Sequence, residues 1–359
     1  MKKEMKIAIL GSGNGACAAA ADWSLAGHEV RIFDFEKFPT IIEEINNKGG
    51  VYVEGELNGF APIAYCGHSI EKAVSGVDII LAIGPAYSTE PFANIVKDYI
   101  SANQIYVVCP GSFGGALLTK KIFMSNKNAS NAIVCETSTL PYAARIIKPG
   151  VVKVFLKLRG GLYLAAIPND QGDKALEIFR TVYPHTQKAK NVFQTMLQNS
   201  NPVIHPSVTL MNAGLIERTK GDFYFYEDGI TPAVGKLMKA VDMERVEIGV
   251  RLGVKILPDP ELGVLQGYMK EATYEYGYAS APGFKGIKAQ DKLDHRYLNE
   301  DVGYGLVFMS NLAKQLGMET PMIDSVINIA SAVMERDYRK ESVRTLEVIG
   351  FSIKEILEG

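Results

Sequence analysis

Met5-Lys6-Ile7-Ala8-Ile9-Leu10-Gly11-Ser12-Gly13-Asn14-Gly15-Ala16, running on through Cys17–Ala26 and Glu29–Phe33 to Asp34, is the stretch that decides the fold. Met5–Leu10 is apolar and β-branched and stops at Gly11, which predicts a short buried strand. Ala16–Ala26 is alanine-rich and predicts a helix, with Gly27 at its C-terminal cap. Glu29–Phe33 predicts a second strand. The three form one βαβ unit with short connections. Parallel strands joined in this way are covered on both faces, so they read as continuous apolar runs.

The turn between strand and helix fits G-x-G-x-x-A. Gly11 permits a tight turn, Gly13 lets a pyrophosphate approach the backbone, and small Ala16 lets helix and strand pack closely. With Asn14 and Gly15 they form a loop that points free N–H groups at an anion, where the helix dipole favours it. Alone the hexapeptide is a weak signal. Its position between a strand and a helix, with an acid ending the next strand, is the context that gives it meaning. That acid is Asp34. A carboxylate there accepts from ribose hydroxyls and repels a 2′-phosphate, so NAD(H) is expected over NADP(H). Arg31 and Lys37 stand nearby and weigh against that preference. The plain alternative is a structural turn beside a solvated aspartate.

Working outward, the alternation continues. Ile70–Val74 reads as a helix, Asp78–Ile83 as a strand, Pro91–Ile100 as a helix and Ile105–Cys109 as a strand. Gly115–Met124 reads as a helix and Ala132–Cys135 as a strand. Val151–Lys157 and Leu162–Ile167 read as a hairpin turning at Gly160-Gly161. Such alternation predicts a doubly wound, mostly parallel sheet. Two turns, Gly84-Pro85-Ala86 and Pro110-Gly111-Ser112, follow strand ends. Pro85, Ala86, Pro110 and Gly111 are therefore expected to flank the nicotinamide half of a dinucleotide, against the alternative of ordinary turn chemistry.

Beyond about residue 190 the periodicity turns helical: Leu210–Lys220, Pro232–Leu252, Val302–Leu316, Met322–Met334 and Val343–Glu355. The expected architecture is an α/β Rossmann domain over residues 1–188 and an all-α substrate domain over 189–359. A chain of 359 residues suits two cores. Net charge is −2, with no basic block, so nucleic acid is not expected as a partner. No apolar run reaches the ~18 residues of a membrane span. Cys17, Cys66, Cys109 and Cys135 are scattered without a C-x-x-C pair, which predicts neither a metal site nor a disulfide framework. They are expected as reduced packing residues in a cytoplasmic protein.

A hydride-transfer enzyme needs a proton donor near the reacting carbon, and histidine titrates near neutrality. Of five histidines, His205 differs in context: it sits in Asn201-Pro202-Val203-Ile204-His205-Pro206, and on a helix Asn201 would share its face. A second cluster is Arg296-Tyr297-Leu298-Asn299-Glu300-Asp301. The planar fork of Arg296 suits a carboxylate. Asp301 is either the orienting carboxylate of a histidine or an N-cap where a helix begins. On the residues alone, packing or capping roles weigh more for both. Phe223–Tyr226 and Tyr274–Tyr278 are candidate pocket walls or simply core.

These segments, together with Thr139-Leu140-Pro141-Tyr142-Ala143-Ala144-Arg145, Tyr224–Pro232 and Asp242-Met243-Glu244-Arg245, resemble the octopine/nopaline (opine) dehydrogenase family nearly end to end. The resemblance implies coupling of an amino acid's amino group to a 2-oxo acid, with reduction of the imine by NAD(P)H. It implies His205 and Asp301 as a catalytic pair and Arg296 as carboxylate binder, assisted by Asn201 and Thr139. Gly303 departs from the proline common after the family's Asp-Val pair, and Ala144 from a cysteine found before the arginine in some members. Partners are then an amino acid and a 2-oxo acid, with a homodimer left open. The rivals are a 2-oxo or hydroxy acid dehydrogenase of the same architecture, which generally uses a lysine in the helical domain, and a non-catalytic dinucleotide sensor. Need for an amine co-substrate separates the first, and NADH binding without oxidation marks the second.

Overall fold

The computed structural model describes residues 4–102 and 104–358. Twelve strands lie in the first half: β1 (Lys6–Leu10), β2 (Glu29–Phe33), β3 (Gly50–Gly55), β4 (Gly59–Pro62), β5 (Tyr65–Gly67), β6 (Ile79–Ala82), β7 (Ile105–Val108), β8 (Ile133–Thr137), β9 (Tyr142–Lys148), β10 (Val151–Lys157), β11 (Tyr163–Ile167) and β12 (Gln187–Lys188). Eight form the main sheet, in the order β12-β11-β8-β7-β6-β1-β2-β5. All its neighbours are parallel except β11 against β8. Chain order reverses between β1 and β6, so a crevice opens there at the carboxyl ends of the strands. The mostly parallel sheet followed by helices is as expected.

The second sheet, β4-β3-β10-β9, has no counterpart among the expected elements. It also corrects the hairpin. Val151–Lys157 pairs with β9 and β3, while Tyr163–Ile167 pairs with β8 and β12, so the two runs belong to different sheets. Gly160-Gly161 is the crossover between them. A Cβ on Gly161 would meet Gln266 and Leu262 at 2.9 Å, so glycine lets the crossover run tight beneath a helix of the second half.

The second sheet explains the alanines. The helix Asn14–Leu25 is buried from Gly15 through Ser24 because both sheets cover it. A helix covered all round needs small side chains rather than an apolar stripe. Its one acid, buried Asp22, is satisfied by the Tyr142 hydroxyl and by Lys157 Nζ, each at 2.7 Å.

The second half is helical. Its principal helices are Asn201–Met211, Pro232–Arg251, Asp259–Gln266, Val307–Gln315 and Pro321–Val333. The helix expected at Leu210–Lys220 is split: Asn201–Met211 ends and Ala213–Thr219 begins anew. Val343–Glu355 is likewise two short helices, broken at Gly350, which has φ +88°. The last segment packs back on the first half, where Lys121 Nζ donates to the Val348 carbonyl at 3.0 Å. Among the described residues no helix is long and apolar enough to cross a membrane. All four cysteines are buried and unbridged. Burial pushes the thiols of Cys17, Cys66 and Cys109 up to about 12.

Candidate active site

The glycine loop is built as its residue types require. Gly11 has φ +112°, and a Cβ there would lie 2.4 Å from the Ile83 carbonyl oxygen. Gly13 caps the helix without a side-chain bond, and a Cβ on it would meet nothing within 4 Å. Gly13 and Asn14 are exposed, while Gly15 and Ala16 are buried, Gly15 beneath Leu140. Open space over an uncapped helix N-terminus fits a pyrophosphate. Asn14 has a second duty that its sequence position does not reveal: its Oδ1 accepts from the Ile146 N–H of β9 at 2.8 Å.

Asp34 departs from the expected picture. It is buried and turned onto the loop. Its Oδ2 accepts from the Ser12 N–H (2.8 Å) and hydroxyl (2.6 Å), and its Oδ1 from the Phe35 N–H (2.8 Å). The carboxylate therefore holds the glycine turn in shape. Arg31 is engaged by Glu29 and by the carbonyls of Lys72 and Ser75.

The β6 and β7 turns meet the helical half rather than standing free. The Ala86 N–H donates to Glu300 Oε1 at 2.8 Å. Buried Arg344 donates to the carbonyls of Ser112 and Ala86 and lies 5.1 Å from the Tyr304 ring centre. Gly111 packs on the carboxyl of Glu136, which a Cβ would meet at 2.3 Å. Pro110 follows a cis peptide bond and lines a crevice together with Ser112, Asn201, Arg296, Asp301 and Tyr304.

His205 and Asp301 are 96 residues apart in sequence and in contact in space: Nδ1 lies 2.8 Å from Asp301 Oδ2, both side chains buried. A carboxylate only accepts, so Nδ1 carries a proton, and in the neutral imidazole Nε2 then keeps its lone pair. The Tyr226 hydroxyl lies 3.2 Å from that Nε2. Burial, then the neighbouring Tyr297, hold the Tyr226 hydroxyl well above the usual phenol range, so it remains a donor. Tyr297 stacks on the imidazole at 3.9 Å and 17°. Two prolines flank His205 in its helix, Pro202 in the first turn and Pro206 inside.

Asp301 is not an N-cap. His295 caps the turn Arg296–Asn299, its Nδ1 accepting from the Tyr297 N–H, and Asp301 follows as the first residue of a π-helix, Asp301–Leu306. The extra residue per turn re-aims side chains, and such turns recur at functional sites. Gly303 lies within it, against Tyr338. Arg296 pairs through Nε with Glu300 Oε2 at 3.1 Å, its side chain 52% exposed.

A second, larger cavity adjoins the first through Asn201, which lines both. Its empty volume, open mouth included, is about 810 Å³. Thr139 lines it, with Tyr226, Tyr297, Arg145 and Asp259. No lysine lines either cavity among the described residues. The structure thus brings Asn201, Arg296, Asp301 and Pro110 to one crevice, with His205 bonded to it and Thr139 in the adjoining cavity. Tyr226 and Tyr278 line the cavity, as the aromatic segments Phe223–Tyr226 and Tyr274–Tyr278 allowed, whereas the Tyr226 contact with His205 and the residues Glu300, Arg145 and Arg344 were not anticipated. Only Glu300 and Arg145 carried a signal, as charges inside segments that already drew notice.

Comparison with known proteins now has a site to refer to. Residues 188–334 match the model for the NAD/NADP octopine/nopaline dehydrogenase α-helical domain. An opine dehydrogenase of Arthrobacter sp. (strain 1C) is 35% identical over 346 residues, covering 96% of this chain and 95% of that protein. Two solved structures share the fold at low identity. Octopine dehydrogenase with NADH and agmatine has a TM-score of 0.80 at 19% identity, covering 99% and 98% of the two chains. Yersinopine dehydrogenase with NADP+ has a TM-score of 0.71 at 16%, covering 100% and 99%. The 35% identity to the Arthrobacter enzyme along nearly the whole of both chains means that this protein belongs to the opine dehydrogenase family.

Proposed function

We propose that this chain condenses an amino acid with a 2-oxo acid and reduces the resulting imine, with residues 1–188 holding a nicotinamide dinucleotide and residues 189–359 supplying the acid–base and carboxylate-binding groups. As a family member it is an NAD(P)-dependent oxidoreductase acting on C–N bonds. The observation that carries the residue roles is the buried 2.8 Å contact of His205 with Asp301, beside a crevice that Arg296 lines. The match to the helical-domain model begins at 188, where the last strand ends, which supports the division.

Asp301 holds the imidazole in the Nδ1–H tautomer and stabilises its cation. His205 Nε2 takes the proton released as the amine adds to the carbonyl. It returns that proton to the departing hydroxyl as water leaves the carbinolamine. Arg296 holds a substrate carboxylate, Asn201 and Thr139 orient the carbonyl, and the stacked Tyr297 keeps water from the imidazole. The nicotinamide, when bound, supplies the hydride. Gly11, Gly13, Asn14, Gly15 and Ala16 hold its pyrophosphate, while Pro85, Ala86, Pro110 and Gly111 line its far half. The absence of a lysine from both cavities speaks against the lysine-dependent dehydrogenases.

NADH oxidation with an amino acid and a 2-oxo acid tests the proposal. Replacing His205→Ala lowers turnover by about 10²–10⁴-fold while NADH affinity holds. Unchanged turnover ends the assignment. NAD(H) is the preferred coenzyme in this reading. This rests on Asp34 following the second strand beside the glycine loop, although its oxygens already accept from Ser12 and Phe35, and on Arg31 being bonded to Glu29 rather than free for a 2′-phosphate. Initial rates favour NADH over NADPH, and the reverse order rejects the role of Asp34. Buried, unbridged thiols suit the reducing cytoplasm as its place.

A further inference from the structure

We infer that Tyr226 is a catalytic residue, the phenol through which protons pass between His205 Nε2 and the reacting amine and carbonyl. The inference rests on the opine-forming reading and adds a residue to its chemistry.

The imidazole has few open sides. Its Nδ1 edge faces Asp301 at 2.8 Å, and a carboxylate there has no proton to pass on. Tyr297 covers one ring face at 3.9 Å, and Phe225 stands edge-on at 6.2 Å. The remaining nitrogen, Nε2, has the Tyr226 hydroxyl 3.2 Å away. His205 is 7% exposed, and among the described residues it lines neither the large cavity nor the crevice. Tyr226 does line the large cavity, with Asn201, Thr139 and Tyr297. The phenol thus stands between the lone pair and the space where substrates fit.

The hydroxyl is equipped to relay. A phenol oxygen carries one proton and two lone pairs. The proton serves Nε2 of the neutral imidazole. The Tyr297 hydroxyl is hydrogen-bonded to the same oxygen, which leaves one lone pair for the cavity. Burial, then Tyr297, hold the group well above the usual phenol range, so it takes up one proton as it gives another and does not ionise. The ring is fixed by stacking on Phe284 at 4.3 Å and 18° and by Phe225 edge-on at 5.0 Å. The hydroxyl's position therefore follows from the ring, not from its hydrogen bonds.

The proton count closes. The amino acid enters as an ammonium, whose first proton moves to the Tyr226 oxygen as the phenol's own proton moves to Nε2. Asp301 faces the imidazolium so formed. The freed nitrogen bonds to the carbonyl carbon, the C=O π pair moves onto oxygen, and that oxygen takes a second proton from the nitrogen. The imidazolium proton then returns through the same phenol to the new hydroxyl. The C–O bond breaks, water leaves, and the nitrogen pair closes a protonated C=N.

Tyr226→Phe tests the relay, because it keeps the ring and its packing and removes only the hydroxyl. With the amino acid and 2-oxo acid that the wild type couples fastest, kcat for NADH oxidation falls roughly 10²-fold or more, in the range for general acid–base help, while KM and NADH affinity hold. The double variant with His205→Ala stays within about threefold of His205→Ala alone, since two members of one path lose the same step. Turnover of Tyr226→Phe within about threefold of the wild type overturns the inference, and so do losses that multiply in the double variant. Nitrogen-15 spectra of histidine-labelled protein read the contact without turnover. The Nε2 signal of His205 shifts towards that of an unbonded lone pair in Tyr226→Phe, and an unmoved signal overturns the relay. A wild type that reduces the 2-oxo acid without any amine fails only the opine-forming reading, because the same variants then read delivery of a proton to the alkoxide.

Discussion

The carboxyl of Glu136 lies wholly out of water at the end of β8. Its Oε1 accepts from the Thr195 hydroxyl at 2.6 Å and its Oε2 from the Ala116 N–H at 3.1 Å. Burial pushes its pKa up to about 7 from an ordinary 4.5, partly offset by those bonds and by the Arg344 charge. The folded chain therefore keeps a proton that the unfolded chain releases, so stability falls as pH rises from about 4.5 to 7. Glu136→Gln removes that component. Against the wild type it gains stability between pH 5 and 8, by at most about 3 kcal/mol. Denaturant melts at several pH values check this, and parallel pH curves for the two proteins refute it. The readout is a difference across pH, so the constant cost of placing an amide there does not enter. Residues of this kind were not legible in advance. Gly11, Gly13 and Ala16 were, because consecutive residues make the loop. Nothing local marks Glu136, whose partner Thr195 is 59 residues away, and although Tyr226 stood out as a candidate pocket wall, nothing local showed its contact with His205, 21 residues off. His205 and Asp301 each drew notice from their context, but the residues alone favoured packing or capping, and only the family resemblance weighted them as a catalytic pair.

At the level of the element, the π-helix Asp301–Leu306 is held against the first turn of the helix that carries His205. Gly305 faces Pro202, and a Cβ there would lie 2.4 Å from the ring's Cγ. A proline ring cannot rotate away, so Gly305→Ala forces the two helices apart at the His205–Asp301 contact. Overpacking of this sort costs about 1–3 kcal/mol. The variant is expected to melt lower and to lose kcat/KM for imine formation while binding NADH normally. Thermal unfolding alongside NADH titration checks both halves, and wild-type activity contradicts the account. Helical periodicity predicted a helix from Val302 and could not show the wider turn, because one extra residue leaves the apolar pattern nearly intact. The mistaken hairpin has a similar cause. Val151–Lys157 and Leu162–Ile167 each read as strands, and each is one. Strand character does not name a partner, and both found better pairing elsewhere.

For the whole molecule, the doubly wound sheet was legible because its strands are buried on both faces and punctuated by Gly and Pro. The small sheet was not, since β3 and β4 are short, glycine-rich and half exposed. Nor was the manner in which the two halves are tied. Glu300 reaches across to Ala86, Thr195 to Glu136, and the final segment carries Arg344 to Ser112 and Ala86. Ile349 from the same segment sits against Gly114. Translation delivers these pieces in a fixed order. The glycine loop and its strands leave the ribosome before the helical half, and nascent domains generally fold as units in chain order. The Ala86 and Ser112 carbonyls must wait for their guanidinium until residue 344 has been made. A nascent chain short of that point is a nucleotide-binding body with an unclamped reaction face, so competence for chemistry arrives late in synthesis, well after competence for the coenzyme.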